Sequence, residues 1–260
     1  NQNNYLRQNI LSDRNYSLKW YGWCIKLLKE QLKLNLTQPM LIAVPFTTQM
    51  ALTEILSSAA DIVEWRLDLE MTLPDKIQYR DVLKQLKSHK KVLLTYRSKQ
   101  EGGEGQQNYE QVVHDILACD VLPDLIDIEV NQGAEVVHQL LALARDRRVM
   151  SILSLHNFTQ TPDENELVSL IKNMSDYRPD VVKVAMMPKQ LADVERLLNV
   201  TAKCHKALAQ PLITMSMGDL GKKSRIIGYQ YGSELTFATT SQTTGSAPGQ
   251  LTITDLLAQW

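Results

Sequence analysis

From Leu41 onward, short apolar runs alternate with longer amphipathic segments, and no other feature of the chain restricts its fold so strongly. This alternation is the pattern of a parallel sheet covered by crossover helices. The predicted strands are Leu41 to Pro45, Asp61 to Leu67, Lys91 to Arg97, Leu125 to Val130, Met150 to His156, Val181 to Ala185, Leu212 to Met217 and Leu235 to Thr239. Between them lie helical patterns such as Tyr109 to Cys119, where Val112, Val113, Ile116 and Leu117 form one stripe at 3.6-residue periodicity. Another helix is expected to open with Thr161 as N-cap, Pro162 at the first helical position, and Asp163 and Glu164 in the positive first turn. Eight such units in about 220 residues predict an α/β protein, a single-domain (β/α)8 TIM barrel spanning residues 39 to 260. A doubly wound open sheet is the competing architecture. Against it, no GxGxxG follows an early strand and no GxxxxGK[ST] occurs.

A length of 260 residues with 44% hydrophobic content suffices for one large core and excludes a disordered or collagen-like chain. A formal net charge of -1 creates no field that would recruit nucleic acid or an acidic membrane, so neither is an expected partner. No stretch approaches eighteen apolar residues, and the N-terminus lacks a secretory signal pattern. A soluble cytoplasmic protein is expected. Cys24, Cys119 and Cys204 are too few and too far apart for a disulfide framework or a CxxC site. Among His89, His114, His138, His156 and His205 there is no HxxxH or HExxH pair, so no metal site is predicted.

Residues 1 to 38 fall outside the repeating pattern. Arg7, Arg14, Lys19, Lys26, Lys29 and Lys33 face only Asp13 and Glu30. Ile25, Leu28 and Leu32 share one helical face and three of the lysines another, so the segment reads as a basic, partly helical or disordered extension. Met40 is the first methionine, so residues 1 to 39 are expected to be a processed or appended extension, and no function is assigned to them.

The informative charges stand at strand ends. Side chains alternate along a strand, so Glu64 shares a side with Arg66, and Asp127 with Glu129. Arg97 ends the third predicted strand, His156 the fifth, and Lys183 sits among Val181, Val182, Val184 and Ala185 in the sixth. In a parallel barrel all C-terminal strand ends open into one mouth, where active sites are built. One such pair alone reads as a buried ion pair. Seven charged or titratable groups on five strand ends read as a polar active site, because each idle buried ion costs several kcal/mol.

Lys183 is the sharpest residue. Burial among valines disfavours its ammonium form, and a neutral amine is a nucleophile that forms a Schiff base with a ketone. The resulting electron sink needs a proton carrier, and His156 is the one histidine at a strand end. Glu101 is placed to orient that imidazole. The ordinary alternative for Lys183 is a salt-bridged core lysine.

These residues form a recognisable set. The chain from about residue 40 to 260 resembles the type I 3-dehydroquinate dehydratase family. The resemblance is carried by Glu64-Trp65-Arg66-Leu67-Asp68, Thr95-Tyr96-Arg97 with Glu101-Gly102-Gly103, Asp127-Ile128-Glu129, Ser154-Leu155-His156, Lys183-Val184-Ala185-Met186-Met187-Pro188, Met215-Ser216-Met217-Gly218, Ser224-Arg225 and Ser246-Ala247-Pro248-Gly249-Gln250. It implies a carbon–oxygen lyase of the shikimate pathway that converts 3-dehydroquinate to 3-dehydroshikimate by syn elimination of water, with no cofactor. In that scheme Lys183 forms an imine with the C3 ketone, and His156 moves the C2 proton to the departing C1 hydroxyl, supported by Glu101 and Asp127. The resemblance further implies that Arg225 binds the substrate carboxylate and that Glu64, Arg66 and Arg97 contact ring hydroxyls. Ser246, Ala247 and Gln250 would belong to a closing loop, Met215, Met217 and Phe237 to an apolar wall, and Glu129 to the supporting network. A homodimer is implied as well.

The sequence departs from the family in two places. Family members begin with a β-hairpin under the barrel, where this chain has its basic extension, and the loop from Thr239 to Gly245 is longer here. Two other functions share part of the pattern. A class I aldolase-like lysine-imine lyase would keep Lys183 and break a carbon–carbon bond, but His156 with Glu101 and Arg225 favours elimination. A catalytically silent scaffold would have no need for both Lys183 and His156.

Overall fold

The computed structural model describes residues 39–240 and 249–260. The extension expected over residues 1 to 38 therefore lies outside the described residues, as do Ser246 and Ala247. The elements run β1 (Leu41–Phe46), α1 (Leu52–Ser57), β2 (Ile62–Arg66), α2 (Lys76–Lys87), β3 (Lys91–Thr95), α3 (Tyr109–Ala118), β4 (Leu125–Glu129), α4 (Ala134–Asp146), β5 (Met150–Asn157), α5 (Glu164–Asp176), β6 (Val181–Met186), α6 (Leu191–Ala207), β7 (Leu212–Ser216), α7 (Lys222–Ile227), β8 (Leu235–Thr239), β9 (Leu251–Thr252) and α8 (Ile253–Leu257).

All strand pairings are parallel, in the order β7-β6-β5-β4-β3-β2-β1-β8-β9. The fold is the expected (β/α)8 barrel. Its seam lies between β7 and β8, which the described residues join by a single bridge from Leu212 to Ser233 and by the Ser233 hydroxyl beneath Thr214 N. Each of the eight predicted strands coincides with an observed one. The two-residue β9, beside β8, is too short to carry a pattern.

Alternation within the strands divides the buried residues into two cores. Outward positions such as Val63, Trp65, Leu94, Ile126, Leu153 and Val184 pack under the helices. Inward positions Ala43, Ile62, Leu93, Leu125, Ile152, Val181, Ile213 and Leu235 fill the barrel itself. The helix stripes follow the expected periodicity, with Val112, Val113, Ile116 and Leu117 of α3 all buried. One helix start differs from expectation. Asp163, not Thr161, caps α5, accepting from Glu166 N at 2.9 Å, because the Thr161 hydroxyl is engaged by Met187 O at 3.0 Å.

Candidate active site

One turn above the apolar filling, the inward positions turn polar. Glu64 and Arg66 on β2, Thr95 on β3, Asp127 and Glu129 on β4, Ser154 on β5 and Lys183 on β6 are all buried. The strand stagger sets Glu129 opposite Ser154 and Ser154 opposite Lys183. Their upper ends meet in a narrow cavity of about 50 Å³ whose walls include Glu64, Arg97, His156, Lys183, Arg225 and Gln250.

Arg97 is the hub. It follows β3, and its NH1 reaches Glu129 Oε1 and Ser154 Oγ, both at 3.0 Å, and Glu101 Oε2 at 3.4 Å. Its NH2 lies 2.8 Å from Asp127 Oδ2, an ion-pair contact with poor hydrogen-bond alignment. Burial alone would make this guanidinium easier to deprotonate, but Asp127, Glu129 and Glu101 outweigh it and raise its pKa. Asp127 likewise stays below the ordinary carboxylate range. Burial opposes this, yet Arg97 and Lys183 prevail, and Ser154 donates to its Oδ1 at 2.6 Å.

His156 and Glu101 form a second unit. The Nδ1 of His156 lies 2.9 Å from Glu101 Oε2, and His156 N donates to the same oxygen at 3.1 Å. Burial pushes Glu101 up to about 8; Arg97 opposes that rise, while Glu129 and Asp127 add to it. Burial also holds His156 well below its usual value, with Arg97, Lys183, Arg66 and Arg225 adding repulsion. Burial and the surrounding cations therefore favour the neutral imidazole, and the Nδ1 to Oε2 contact can carry a proton on either the ring or the carboxyl group. With that proton on Nδ1, the other ring nitrogen is the basic one.

Lys183 is 3% exposed. Its Nζ lies 3.4 Å from Asp127 Oδ2 and 4.4 Å from the centre of the Phe237 ring. Burial lowers its pKa; Asp127 resists and Arg97 reinforces the drop. An amine with a depressed pKa in a cavity is poised as a nucleophile.

Arg225 stands on the far side, on α7. Gly221 allows this short helix to sit tight against β7, since a Cβ there would lie 2.1 Å from Ser216 O. Ser224 Oγ then accepts from Ser216 N at 2.8 Å, fixing the turn that carries Arg225. Arg225 is buried, and among the described residues its NH1 meets only the Met215 sulfur at 3.4 Å and its Nε has no partner. Burial lowers its pKa to about 10. A buried cation without a carboxylate among the described residues can take an anion as its partner.

Of the predicted site residues, Glu64, Arg66, Arg97, Glu101, His156, Lys183, Met215, Met217, Arg225, Phe237 and Gln250 line the cavity. Asp127 and Glu129 lie against its charged wall through Arg97. Asp127 faces Lys183 and Arg97 where support of His156 was expected. Arg66 is gripped by Asp68 through two bonds of 2.9 and 2.7 Å, and Glu64 accepts from Thr95 Oγ1 at 3.0 Å. Sequence reasoning assigned no role to Ser154, Thr95, Tyr109 or Phe158. Tyr109 Oη accepts from Glu129 N at 2.9 Å, and Phe158 covers Gly102, which has a φ of +76° and where an added Cβ would lie 2.3 Å from the Phe158 ring. The alternation of β5, which points Ser154 the same way as His156, was the one signal available for Ser154.

The fold and cavity define a barrel enzyme that holds a deprotonation-prone amine, an imidazole–carboxylate pair and a guanidinium with no carboxylate partner among the described residues in one pocket. The sequence model of the type I 3-dehydroquinase family matches residues 41–259. A 3-dehydroquinate dehydratase of Lactiplantibacillus plantarum is 39% identical over 212 residues, which cover 79% of this chain and 83% of that protein. The crystal structure of 3-dehydroquinate dehydratase from Geobacillus kaustophilus matches with a TM-score of 0.78 and 32% identity over 86% of this chain and 90% of that one. The type I enzyme of Clostridium difficile, with covalently modified comenic acid, matches with a TM-score of 0.76 and 33% identity over 85% and 90%. The chain belongs to the type I 3-dehydroquinase family and is a dehydratase of the shikimate pathway. No helix among its described residues is long and apolar enough to cross a membrane.

Proposed function

We propose that the cavity binds 3-dehydroquinate and dehydrates it through an imine on Lys183. The observation that carries this reading is the buried, pKa-depressed amine of Lys183 sharing one pocket with the His156–Glu101 pair. Neutral Nζ adds to the C3 carbonyl carbon, and the carbinolamine takes up a proton and loses water to leave an iminium, the proton being released again on final hydrolysis. His156 takes the C2 proton, and the C2–H electrons become the double bond of an enamine. Those electrons then expel the C1 hydroxyl, to which His156 returns the same proton, so water leaves from the face that lost the proton. Hydrolysis of the conjugated iminium frees 3-dehydroshikimate and restores the amine.

Charge placement supports each role. Proton uptake at His156 places a positive charge 2.9 Å from Glu101 and so favours its ionised form, the better acceptor for the ring. The substrate carboxylate is assigned to Arg225, and the ring hydroxyls to Glu64, Arg66 and Arg97. Asp127 holds Lys183 in place, while Met215, Met217 and Phe237 form the apolar wall. Gln250 follows the segment containing Ser246 and Ala247, which we assign to closure over the ligand and exclusion of water. Family membership supports extending the reading to a cytoplasmic homodimer, and a light-scattering mass of one chain rather than two would remove the dimer.

The test is to incubate the protein with 3-dehydroquinate, reduce with borohydride and locate the mass increase by peptide mapping. An adduct on Lys183, absent in Lys183→Ala together with at least about a 10⁴-fold loss of turnover, is the expected result. A folded protein that makes 3-dehydroshikimate without any adduct would replace the imine with another mechanism.

A further inference from the structure

The two oxygens of Glu101 have unequal surroundings. Oε2 receives His156 Nδ1, His156 N and, more distantly, Arg97 NH1. Oε1 receives the side-chain amide of Asn131 at 3.0 Å, and no other bond to it is formed among the described residues. Asn131 lies on the single turn Val130–Gln132 that follows β4, whereas Glu101 lies on the turn Lys99–Glu101 that follows β3. The amide thus links two neighbouring strand exits. Its neighbour Gln132 does the same for the adjacent carboxylate, donating Nε2 to Glu129 Oε2 at 2.7 Å.

We infer that Asn131 is a positioning residue for the dehydration, holding Glu101 so that the shared proton rests on His156 Nδ1. The inference depends on the proposed roles of His156 and Glu101. Glu101 is faced by Arg97 from the end of β3, by Asp127 and Glu129 from β4, and by His156 from β5; Lys183 on β6, with Arg66 and Arg225, bears on His156 itself. Around Arg97 there are three carboxylates for one guanidinium, so Glu101 is the group most easily driven to bind a proton. A protonated Glu101 would donate to Nδ1, move the ring proton to the other nitrogen, and remove the lone pair that accepts the substrate proton. A donor on Oε1 favours the ionised form. An amide supplies that donor without adding a positive charge, which would depress the basicity of His156 further.

The measurement is paired. The carboxyl carbon of Glu101 is titrated by NMR in protein carrying ¹³C-glutamate, with Glu101→Gln identifying its signal, and kcat and KM are measured across pH. In Asn131→Ala the Glu101 midpoint and the acid limb of kcat both move alkaline, by about half to one pH unit for one lost hydrogen bond. At pH 6 kcat falls about 3- to 10-fold while KM changes less than about twofold. Asn131→Asp, which adds a like charge, moves the limb further in the same direction. An unmoved Glu101 midpoint, or a kcat loss equal at every pH and matched by a lower Tm, would overturn the inference. The carboxyl titration needs no substrate. An unsubstituted protein that fails to make 3-dehydroshikimate therefore defeats the proposed function, and only the titration and profile of the variant decide the role of Asn131.

Discussion

Arg97 and Arg225 are both buried guanidinium groups of one cavity, and their surroundings are opposite. Arg97 meets three carboxylates and a hydroxyl, and its charge is held more firmly than in water. Arg225 meets a methionine sulfur, has an Nε without a partner among the described residues, and is held down to about 10 by burial. The β3–β4 side of the barrel therefore has its charges paired without ligand, while on the β7–β8 side Arg225 has no counter-ion among the described residues and is the proposed partner of the substrate carboxylate. The lesson is that burial of a charge does not by itself separate structural from binding roles; the partner count does.

The largest effect is expected from removing the saturated arginine. Arg97→Met strands Asp127, Glu129 and Glu101 in a low-dielectric interior and should cost about 3–5 kcal/mol in urea unfolding, because an uncompensated buried charge is worse than a buried pair. If the loss is below about 1 kcal/mol, the network is far better solvated than its burial implies.

Arg225→Met should break the comparison in the other direction. Stability holds or rises, since a pKa lowered from 12.5 to about 10 corresponds to a few kcal/mol of unrepaid desolvation at most. Substrate binding suffers instead, with KM up about 100-fold, equivalent to about 2.7 kcal/mol. Arg225→Lys should recover little of it, because an ammonium cannot present the planar fork. A thermal scan and a KM determination on the same preparation check both halves.

A smaller effect is expected at Glu101, one of the three carboxylates around Arg97. Its folded-state pKa lies above the unfolded carboxylate value, so folding favours its protonated form. The associated stability is fully present below the unfolded pKa of 4.5 and is lost as pH rises toward 8. Glu101→Gln should thus raise Tm relative to the parent at pH 8.5 and lose that advantage near pH 4.5. The opposite trend would mean that Arg97 and Asn131 outweigh the burial of Glu101.

Much of this molecule was legible in its sequence. The eight strands could be placed because each is a short apolar run, and the inward charges because alternation gives Glu64 the side of Arg66 and Asp127 the side of Glu129. Local competition decided the misplaced cap: the Thr161 hydroxyl found Met187 O, a partner 26 residues away that no local rule anticipates. Ser154 and Asn131 were missed for the same reason. A serine in an apolar strand and an asparagine in a turn are ordinary residues until Asp127 and Glu101 are known to lie beside them.

By itself, the sequence determined the alternation of strand and helix, the set of chemically capable side chains and the family to which they belong. Local periodicity and residue chemistry are properties of the chain read in order. Tertiary structure alone decided that Asp127 contacts Lys183 and Arg97, that Arg97 is surrounded by carboxylates, and that Arg225 has no counter-ion among the described residues. Those outcomes depend on strand stagger and on which strand ends meet across the barrel, distances set by closure of the sheet and not by spacing along the chain.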